Sequence, residues 1–245
     1  MPRVSVIILT KNRAVLLQKA LASLEKQNFR DFEIVVVNDG SIDDTEAIIL
    51  ACKHSNIVRI THSESQGITK GRQEALEKAS GELVAFLDDD DEWVDRRKLE
   101  KQVEWFEKTP RGVLCGGGIV VNVKGKNQNV KLRPKTDGQI REWMLFKNPF
   151  FTSTVMVKVS AALEVGGFVQ DSIDLAEDYD LWLRLGQKGE MYNFQEVFTK
   201  YTLPVYNKDK FKLFLTKQLY LVKRHKNGYP NYWLAQLILR LRLFF

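Results

Sequence analysis

The fold of this 245-residue chain is decided by the stretch Leu83–Val84–Ala85–Phe86–Leu87–Asp88–Asp89–Asp90–Asp91–Glu92–Trp93. Its unbroken apolar run is typical of a short strand buried on both faces of a parallel sheet. The four aspartates fall at the carboxyl end of that strand, where open α/β sheets bind ligands. Water around a solvated acidic loop could relieve their mutual repulsion, but Trp93 at the end of the run favours a bound cation. Carboxylates suit Mg²⁺ or Mn²⁺, so the stretch predicts a site for a metal and a diphosphate.

Strands and helices alternate along the residues that precede this stretch. Buried-type apolar runs predict three earlier strands, at 4–10, 33–39 and 56–60. Helical spacing of leucines, capping residues and flanking glycines predict helices at about 16–24, 44–54 and 67–79. The alternation indicates an α/β fold with a doubly wound, mostly parallel sheet flanked by helices.

Polar side chains follow three of these strands at the point where each strand ends. Thr10, Asn12 and Arg13 follow the first strand, Asp39 ends the second, and the aspartates 88–91 follow the fourth. Parallel strands place their carboxyl ends at one edge of a sheet, so these side chains should lie close together. Their chemistry is of the nucleotide-binding type.

Four segments, in this order, resemble the landmarks of glycosyltransferase family 2. They are Ser5–Val6–Ile7–Ile8–Leu9–Thr10–Lys11–Asn12–Arg13, Val37–Asn38–Asp39–Gly40–Ser41–Ile42–Asp43–Asp44–Thr45, Gly67–Ile68–Thr69–Lys70–Gly71–Arg72 and Phe86–Leu87–Asp88–Asp89–Asp90–Asp91–Glu92–Trp93. Each motif alone is weak, but the ordered set is specific. The resemblance implies the GT-A fold, a nucleotide-diphospho-sugar donor, Mn²⁺ or Mg²⁺ as cofactor, and inversion at the anomeric carbon.

The resemblance also implies roles for individual residues. Asp39 would hydrogen-bond the base, expected to be uracil, and Arg72 would meet the charge of the base or diphosphate. Asp90 would hold the metal. Donor contacts are implied for Thr10, Asn12, Arg13, Asp39, Arg72, Asp88 and Asp89. The chain departs from the family pattern at Lys70–Gly71–Arg72–Gln73, where Ala-Arg-Asn is commoner, but the arginine is retained.

A second landmark is Ala176–Glu177–Asp178–Tyr179–Asp180–Leu181–Trp182–Leu183–Arg184–Leu185. In a helix Asp178 shares a face with the large apolar residues Leu181 and Trp182, so it should lie at the interior edge. A helix-start carboxylate favoured by the macrodipole is the alternative, and it suits Glu177 and Asp180 better. The run resembles the family's base motif, which implies that Asp178 deprotonates the acceptor, with Glu177 and Trp182 as supporting residues.

The resemblance covers roughly residues 1–200 and predicts a catalytic domain at 1–205. Residues 1–110 would form its nucleotide-binding half and 111–205 its acceptor-binding half. Leu99, Val103 and Phe106 mark a core-facing helix. The other elements expected are a strand at 113–123, a polar hairpin or loop at 124–137, an aromatic helix and turn at 138–151 and a strand at 152–157.

The last part of the chain is strongly basic. From Lys200 onward there are ten Lys and Arg against one acid, whereas residues 1–199 carry a net charge of −3. A basic helix is expected at 208–226, followed by an apolar segment with Trp233, Leu237 and Leu241 on one face. Residues 206–245 therefore predict a basic amphipathic tail on an anionic membrane surface. Packing on the body or in a homodimer is the alternative.

Composition excludes several classes of protein. Cys52 and Cys115 form no CxxC pair, and the three histidines lack metal-ligand spacing, so a zinc site is not expected. No base-reading motif accompanies the basic tail, which argues against nucleic-acid binding. The N-terminus enters a strand directly and no apolar run spans a bilayer. These features predict a cytoplasmic protein, peripheral on the inner face of the cytoplasmic membrane, whose natural chain could extend past residue 245.

The function expected is an inverting transfer from a nucleotide-diphospho-sugar, UDP-linked by expectation, to a hydroxyl of a glycan or lipid-linked acceptor. A sugar-1-phosphate nucleotidyltransferase would need a glycine-rich loop after the first strand, and residues 11–16 contain no glycine. A non-catalytic, membrane-attached sugar-nucleotide-binding protein would be expected to lose Asp39, Asp90 or Asp178, and all three are present.

Overall fold

A computed structural model describes residues 1–123, 126–169, 176–202 and 208–244, with backbone only at 122, 123 and 126–128. Its strands are β1 Val4–Thr10, β2 Phe32–Asp39, β3 Ile57–His62, β4 Leu83–Phe86, β5 Glu92–Trp93, β6 Gly112–Val123, β7 Lys126–Lys131, β8 Met156–Lys158 and β9 Glu190–Tyr201. Its helices are α1 Ala14–Leu24, α2 Thr45–Leu50, α3 Ile68–Lys78, α4 Lys98–Lys108, α5 Asp137–Trp143, α6 Val159–Glu164, α7 Glu177–Leu185, α8 Lys208–Arg224 and α9 Tyr232–Phe244.

The strands form one sheet in the order β3-β2-β1-β4-β8-β6-β9-β5, and β7 pairs with β6. The first four strands of this order are parallel, with Val6 opposite both Ile34 and Ala85. β8 runs antiparallel to β4 and β6, whereas β6 and β9 are parallel over most of their length. The parallel register brings the ends of β1, β2 and β4 to one edge of the sheet.

Apolar side chains of the central strands alternate between the two faces of the sheet. Val6 and Ala85 face a core formed with α1, α2 and α4, while Ile7 and Phe86 face the core on the other side. That second core includes side chains from α3 and from α5 to α9. Because both faces are covered by helices, the expected doubly wound, mostly parallel sheet is confirmed.

Two predicted elements differ from the structure. α2 ends at Leu50, not near residue 54, because only Thr45 and Ile49 are buried and little packing supports a longer helix. The predicted strand 152–157 begins instead with a short 3-10 helix, Thr152–Thr154. There the Thr154 hydroxyl donates to the Phe151 carbonyl 2.7 Å away, a local bond that competes with strand pairing.

The basic C-terminal segment packs on the body of the molecule. Leu215 and Leu221 of α8 and Ala235 and Leu239 of α9 are buried in the same core as Phe86. The Gln218 amide also donates to the Phe146 carbonyl at 2.9 Å. No helix in the described part of the chain is long and apolar enough to cross a membrane.

Candidate active site

A cavity of about 610 Å³ lies at the carboxyl ends of β1, β2 and β4. Strand ends, the start of α3 and the end of β9 supply its walls. It is lined by Leu9, Thr10, Lys11, Arg13, Asp39, Ser65, Gly67, Ile68, Arg72, Asp88, Asp89, Asp90, Tyr201 and Thr202. We call this the donor cavity, because it gathers six of the seven residues predicted to contact the donor.

The four aspartates after β4 alternate in exposure. Asp88 and Asp90 are half-buried, with side chains 32% and 26% exposed, whereas Asp89 and Asp91 are buried. Asp91 accepts hydrogen bonds from the Ser153 hydroxyl at 2.5 Å and the Thr202 amide at 2.8 Å. Asp91 therefore anchors the loop to the end of β9, while Asp88 and Asp90 remain accessible from the donor cavity.

Arg13 pairs with two carboxylates of this acidic run. Its Nη1 lies 2.8 Å from Asp89 Oδ1 and 3.1 Å from Asp90 Oδ2. Beside Asp89, the buried Thr10 hydroxyl makes no hydrogen bond of normal geometry to the described residues. The hydroxyl is close enough to Asp89 to lower the pKa of that carboxyl, and a polar ligand in the donor cavity would give it a better-aligned partner.

Electrostatics at Asp90 fit a divalent cation. Burial raises the pKa of Asp90, and the carboxylates of Asp88 and Asp89 raise it further, against the opposing effect of Arg13. The described residues contain no group of three or more His, Cys, Asp or Glu side chains arranged to hold a metal by themselves. Mg²⁺ and Mn²⁺ are commonly held by one or two carboxylates together with substrate phosphates, which matches Asp88 and Asp90.

Asp39 orders the loop that follows β3. Its carboxylate lies 2.8 Å from His62 Nδ1 and accepts hydrogen bonds from the Ser65 hydroxyl at 2.6 Å and the amides of Gln66 and Gly67 at 2.7 and 3.1 Å. Burial acts to raise the pKa of Asp39, but these hydrogen bonds outweigh it and lower the pKa to about 2. Both oxygens of this wall residue are thus already engaged by protein donors.

Arg72 joins the aspartate run to the second landmark. Its buried guanidinium donates from Nη2 to Asp88 Oδ1 at 2.7 Å and from Nη1 to Glu177 Oε1 at 2.6 Å. Burial lowers the pKa of Arg72, but Asp88, Glu177 and Asp178 together raise it more strongly. The sequence predicted that Arg72 contacts the nucleotide-sugar donor. It did not predict that Arg72 also bonds Glu177, which lies 105 residues further along the chain.

Asp178 lies in the first turn of α7 at the edge of a second cavity, of about 570 Å³. Its Oδ2 accepts a hydrogen bond from the Thr152 hydroxyl at 2.5 Å and a long one from the Asn148 amide at 3.5 Å. Tyr201 lines both this cavity and the donor cavity. We call the second space the acceptor cavity, since an acceptor hydroxyl there could meet a donor held by the aspartates.

The acidic neighbours of Asp178 in α7, Glu177 and Asp180, are buried and paired with cations. Burial raises the pKa of Glu177 to about 7 despite its ion pair with Arg72. Asp180 is paired with Arg184 at 2.8 Å and contacts His225 at 3.3 Å, which fastens α7 to the C-terminal segment. Trp182 is fully buried with its ring 5.6 Å from that of Phe86, so it positions α7 against β4.

Asn12 does not line the donor cavity as the sequence predicted. It adopts a left-handed backbone with φ of 53°, a conformation that asparagine tolerates. Its side-chain oxygen accepts a hydrogen bond from the backbone amide of Ile42 at 2.8 Å, and its backbone amide donates to the Ser41 hydroxyl at 2.9 Å. Asn12 thus ties the loop after β1 to the loop after β2.

Several residues of the two cavities carried no signal in the sequence. Ser65, Tyr201 and Thr202 enter the donor cavity, and Asn148 and Thr152 contact Asp178. All come from parts of the chain far from the motif they serve, so no spacing rule points to them. The proximity of β9 to the aspartates follows from sheet topology alone.

Comparisons with known proteins agree with this geometry. Residues 5–166 match the profile described as Glycosyl transferase family 2. Over 95 residues, 38% of this chain and 31% of the relative, the chain is 43% identical to the Campylobacter jejuni GalNAc(5)-diNAcBac-PP-undecaprenol beta-1,3-glucosyltransferase. It is 27% identical to an Erwinia amylovora amylovoran biosynthesis glycosyltransferase over 201 residues, 80% of this chain and 74% of the relative.

A third relative is the Escherichia coli UDP-Glc:alpha-D-GlcNAc-diphosphoundecaprenol beta-1,3-glucosyltransferase WfgD. It is 32% identical over 119 residues, 49% of this chain and 47% of the relative. The chain thus spans less than half the length of the Campylobacter and Escherichia relatives.

Solved structures share the fold at low sequence identity. S. aureus TarS 1–349 in complex with UDP-GlcNAc superposes with a TM-score of 0.75 at 20% identity, covering 97% of this chain and 70% of that one. A Pyrobaculum calidifontis mannosyltransferase in complex with GDP-Man and Mn²⁺ gives 0.73 at 21%, covering 99% and 69%. The expected GT-A fold is thereby confirmed. With the family profile matching about two thirds of its residues, the chain belongs to glycosyl transferase family 2.

Proposed function

We propose that this chain transfers a sugar from a nucleotide-diphospho-sugar, with UDP as the nucleotide, to a hydroxyl of a glycan or lipid-linked acceptor, with inversion. The observation that carries the proposal is the Arg72 bridge, which joins Asp88 of the donor cavity to Glu177, the residue next to Asp178. A nucleotide-binding edge and a candidate base are thereby held in fixed relation, as a single displacement requires.

In this mechanism the donor cavity binds and orients the nucleotide diphosphate. Asp39 fixes the loop 62–67 against the base, and Arg13 offers its guanidinium to the diphosphate. Asp88 and Asp90 would hold Mn²⁺ or Mg²⁺. That cation would neutralise negative charge developing on the leaving diphosphate.

Asp178 is the proposed general base. Thr152 and Asn148 both donate to its Oδ2, which fixes the direction of the carboxylate. It would accept the proton of the acceptor hydroxyl as that oxygen attacks the anomeric carbon from the face opposite the leaving group. No second carboxylate nucleophile is needed, which is why we propose inversion.

Relatives support the acceptor class and weigh against one alternative. The Campylobacter and Escherichia relatives carry diphosphoundecaprenol-linked substrates in their names. Membership of glycosyl transferase family 2 favours transfer over a sugar-1-phosphate nucleotidyltransferase. A cytoplasmic protein at the membrane surface, as the sequence predicted, would meet such acceptors there.

The Asp178→Asn variant tests the base directly. The substitution is nearly isosteric and removes basicity, so transfer should fall by about 10²–10⁴-fold while donor affinity stays near that of the unchanged protein. Release of nucleoside diphosphate from a panel of nucleotide sugars measures transfer, and calorimetry measures donor binding. Asp44→Asn, at an exposed position in the described structure, is the matched charge control.

Each result has a defined meaning. Retained turnover in Asp178→Asn would place the base elsewhere, with Glu177 or Asp180 the next candidates. If the unchanged protein binds donors but transfers to no acceptor, the non-catalytic sugar-nucleotide-binding protein becomes the better account.

A further inference from the structure

Four cations surround the acceptor cavity without a matching set of carboxylates. Lys131, Arg133, Lys147 and Arg242 all line it, and none of them lines the donor cavity. They come from β7, the segment before α5, the loop after α5, and α9. Such convergence of like charges from four separate parts of the chain is unfavourable unless an anion is bound there.

Three of these cations stand between two cavities. Arg133, Lys147 and Arg242 line the acceptor cavity and also a neighbouring cavity of about 590 Å³. The neighbouring cavity is further lined by Trp143, Phe146 and Leu234, together with Glu142 and Asn231. An extended ligand could therefore run from Asp178, past the cations, into a partly apolar space beside α9.

Internal ion pairs do not account for the cluster. Among the described residues, no carboxylate oxygen lies within 4.0 Å of a side-chain nitrogen of these four cations, although Glu142 and Asp178 line the cavities. Arg133 stacks on Phe151 with its guanidinium carbon 4.3 Å from the ring centre. Its Nε is buried and has no hydrogen-bond partner there. A buried donor of this kind points to a missing acceptor.

Mutual repulsion within the cluster is visible at Lys147. Partial burial lowers the pKa of Lys147, and Arg133, Lys131 and Arg242 lower it further, in that order. A phosphate or diphosphate among these cations would raise the pKa of Lys147 again and would accept several charge-assisted hydrogen bonds. The arginines offer the planar donor arrangement that phosphate oxygens prefer.

We propose that Lys131, Arg133, Lys147 and Arg242 bind the diphosphate that links the acceptor sugar to a lipid, while that sugar's hydroxyl lies at Asp178. The proposal rests on the proposed function and narrows its acceptor to a lipid-diphosphate-linked sugar. Phe211 and Phe214 of α8 line the acceptor cavity, and Trp143 and Leu234 line its neighbour. These apolar walls provide a path for the first isoprene units.

The test measures binding of farnesyl diphosphate by calorimetry, with saturating UDP present to occupy the donor cavity. The double variant Lys147→Gln/Arg242→Gln changes two cluster cations that are exposed on the cavity wall. Each removes charge-assisted hydrogen bonds, so affinity should fall about 100-fold for the pair. The control, Lys223→Gln/Arg240→Gln, removes the same charge at exposed positions of α8 and α9 that line neither cavity. It should keep the affinity of the unchanged chain.

Two comparisons separate the lipid-linked diphosphate from a general anionic surface. Farnesol should bind at least tenfold more weakly than farnesyl diphosphate if the phosphates carry recognition. If lipid headgroups attract the chain through its overall charge, both double variants should bind phosphatidylglycerol vesicles more weakly, and by the same factor. Equal farnesyl diphosphate affinity in the two double variants, or farnesol binding as tightly as the diphosphate, would overturn the proposal.

Failure of this inference can be told from failure of the proposed function. If nucleotide sugars do not bind but farnesyl diphosphate binding still depends on Lys147 and Arg242, the donor assignment fails and the anion site stands. If donors bind and transfer depends on Asp178, while both double variants bind farnesyl diphosphate alike, the transferase stands and the anion site is wrong.

Discussion

At the scale of single residues, identical side chains acquire different roles from their surroundings. Asp91 is held by Ser153 and Thr202, Asp39 orders a loop, and Asp90 faces the donor cavity beside other carboxylates. The sequence could indicate which aspartates gather, because strand ends of a parallel sheet share an edge. It could not indicate that Thr152 and Asn148 orient Asp178, since Thr152 lies in a 3-10 helix where a strand was predicted and Asn148 lies outside any predicted motif.

Removing the Asp90 carboxylate should weaken metal binding. We expect Asp90→Ala to lower the affinity for Mn²⁺ in the presence of UDP and to reduce transfer about 100-fold or more, since a metal contributes several kcal/mol to such a transition state. Calorimetry of Mn²⁺ with UDP measures the first effect and nucleotide release the second. Asp44→Ala serves as the control. Transfer that survives both Asp90→Ala and excess chelator would show that the metal assignment is wrong.

The depressed pKa of Asp39 predicts a pH-dependent stability. A carboxylate whose pKa falls from 3.8 when unfolded to about 2 when folded stabilises the protein by roughly 2 kcal/mol above pH 4, and this is lost as pH falls toward 2. Asp39→Asn should therefore lower the free energy of unfolding by about that amount at pH 7. Denaturant titrations of the unchanged protein and of Asp39→Asn, at pH 7 and at pH 3, measure the difference in their free energies of unfolding.

The direction of the pH effect provides the check on this prediction. The difference in the free energy of unfolding between the two proteins should shrink at pH 3, because Asp39 is then mostly protonated in the unfolded chain and still mostly ionised in the folded one. Asp31→Asn, at an exposed aspartate before β2, controls for loss of one charge. A gap that is constant across this range would mean that Asp39 stabilises the loop by shape alone.

At the scale of elements, α9 has two distinct faces. Ala235 and Leu239 are buried in the core, while Trp233, Leu237 and Leu241 are 81%, 56% and 50% exposed. The sequence predicted this exposed stripe by its spacing, and the structure leaves it uncovered by the described chain. The sequence could not predict that the opposite face of α9 packs in the main core, because that packing depends on α8 and the sheet.

We expect the exposed stripe of α9 to insert into an anionic membrane surface. Replacing Trp233, Leu237 and Leu241 by serine removes three apolar side chains that each contribute about 1 kcal/mol or more, so vesicle partitioning should fall about 100-fold. Co-sedimentation with neutral and anionic vesicles at low and high salt measures it. Serine at the exposed positions Val15, Leu50 and Leu163 is the matched control.

The outcome separates a membrane surface from a subunit interface. Loss of partitioning only in the α9 variant, with stronger binding to anionic vesicles that salt weakens, supports the membrane. A chain that ignores vesicles but forms a salt-insensitive dimer, broken by the same three substitutions, would establish α9 as an interface between copies.

At the scale of the whole molecule, the C-terminal segment shares a core with the catalytic body. Leu215 and Leu239 lie in the same cluster as Ile7 and Val35 of the central strands, and Arg242 and Phe211 line the acceptor cavity. The predicted boundary between a domain at 1–205 and a tail at 206–245 thus reflects the change in charge along the chain, whereas packing is continuous between the two parts. Charge and periodicity indicated a tail helix, but no local pattern indicates that such a helix lines a cavity whose other walls include Ile119 and Asp178.

A side chain at Gly71 would create a close contact between α3 and the sheet. A Cβ on Gly71 of α3 would lie 2.5 Å from Leu9 Cδ1 of β1, well inside van der Waals contact, and 3.4 Å from Val37 Cγ1 of β2. An alanine at position 71 would therefore require the end of the Leu9 side chain to shift or turn. Members of the family with alanine at this helix position should carry a smaller or differently turned residue at the strand position. Glycine at position 71 thus lets α3 lie against Leu9 of β1 without displacing that side chain.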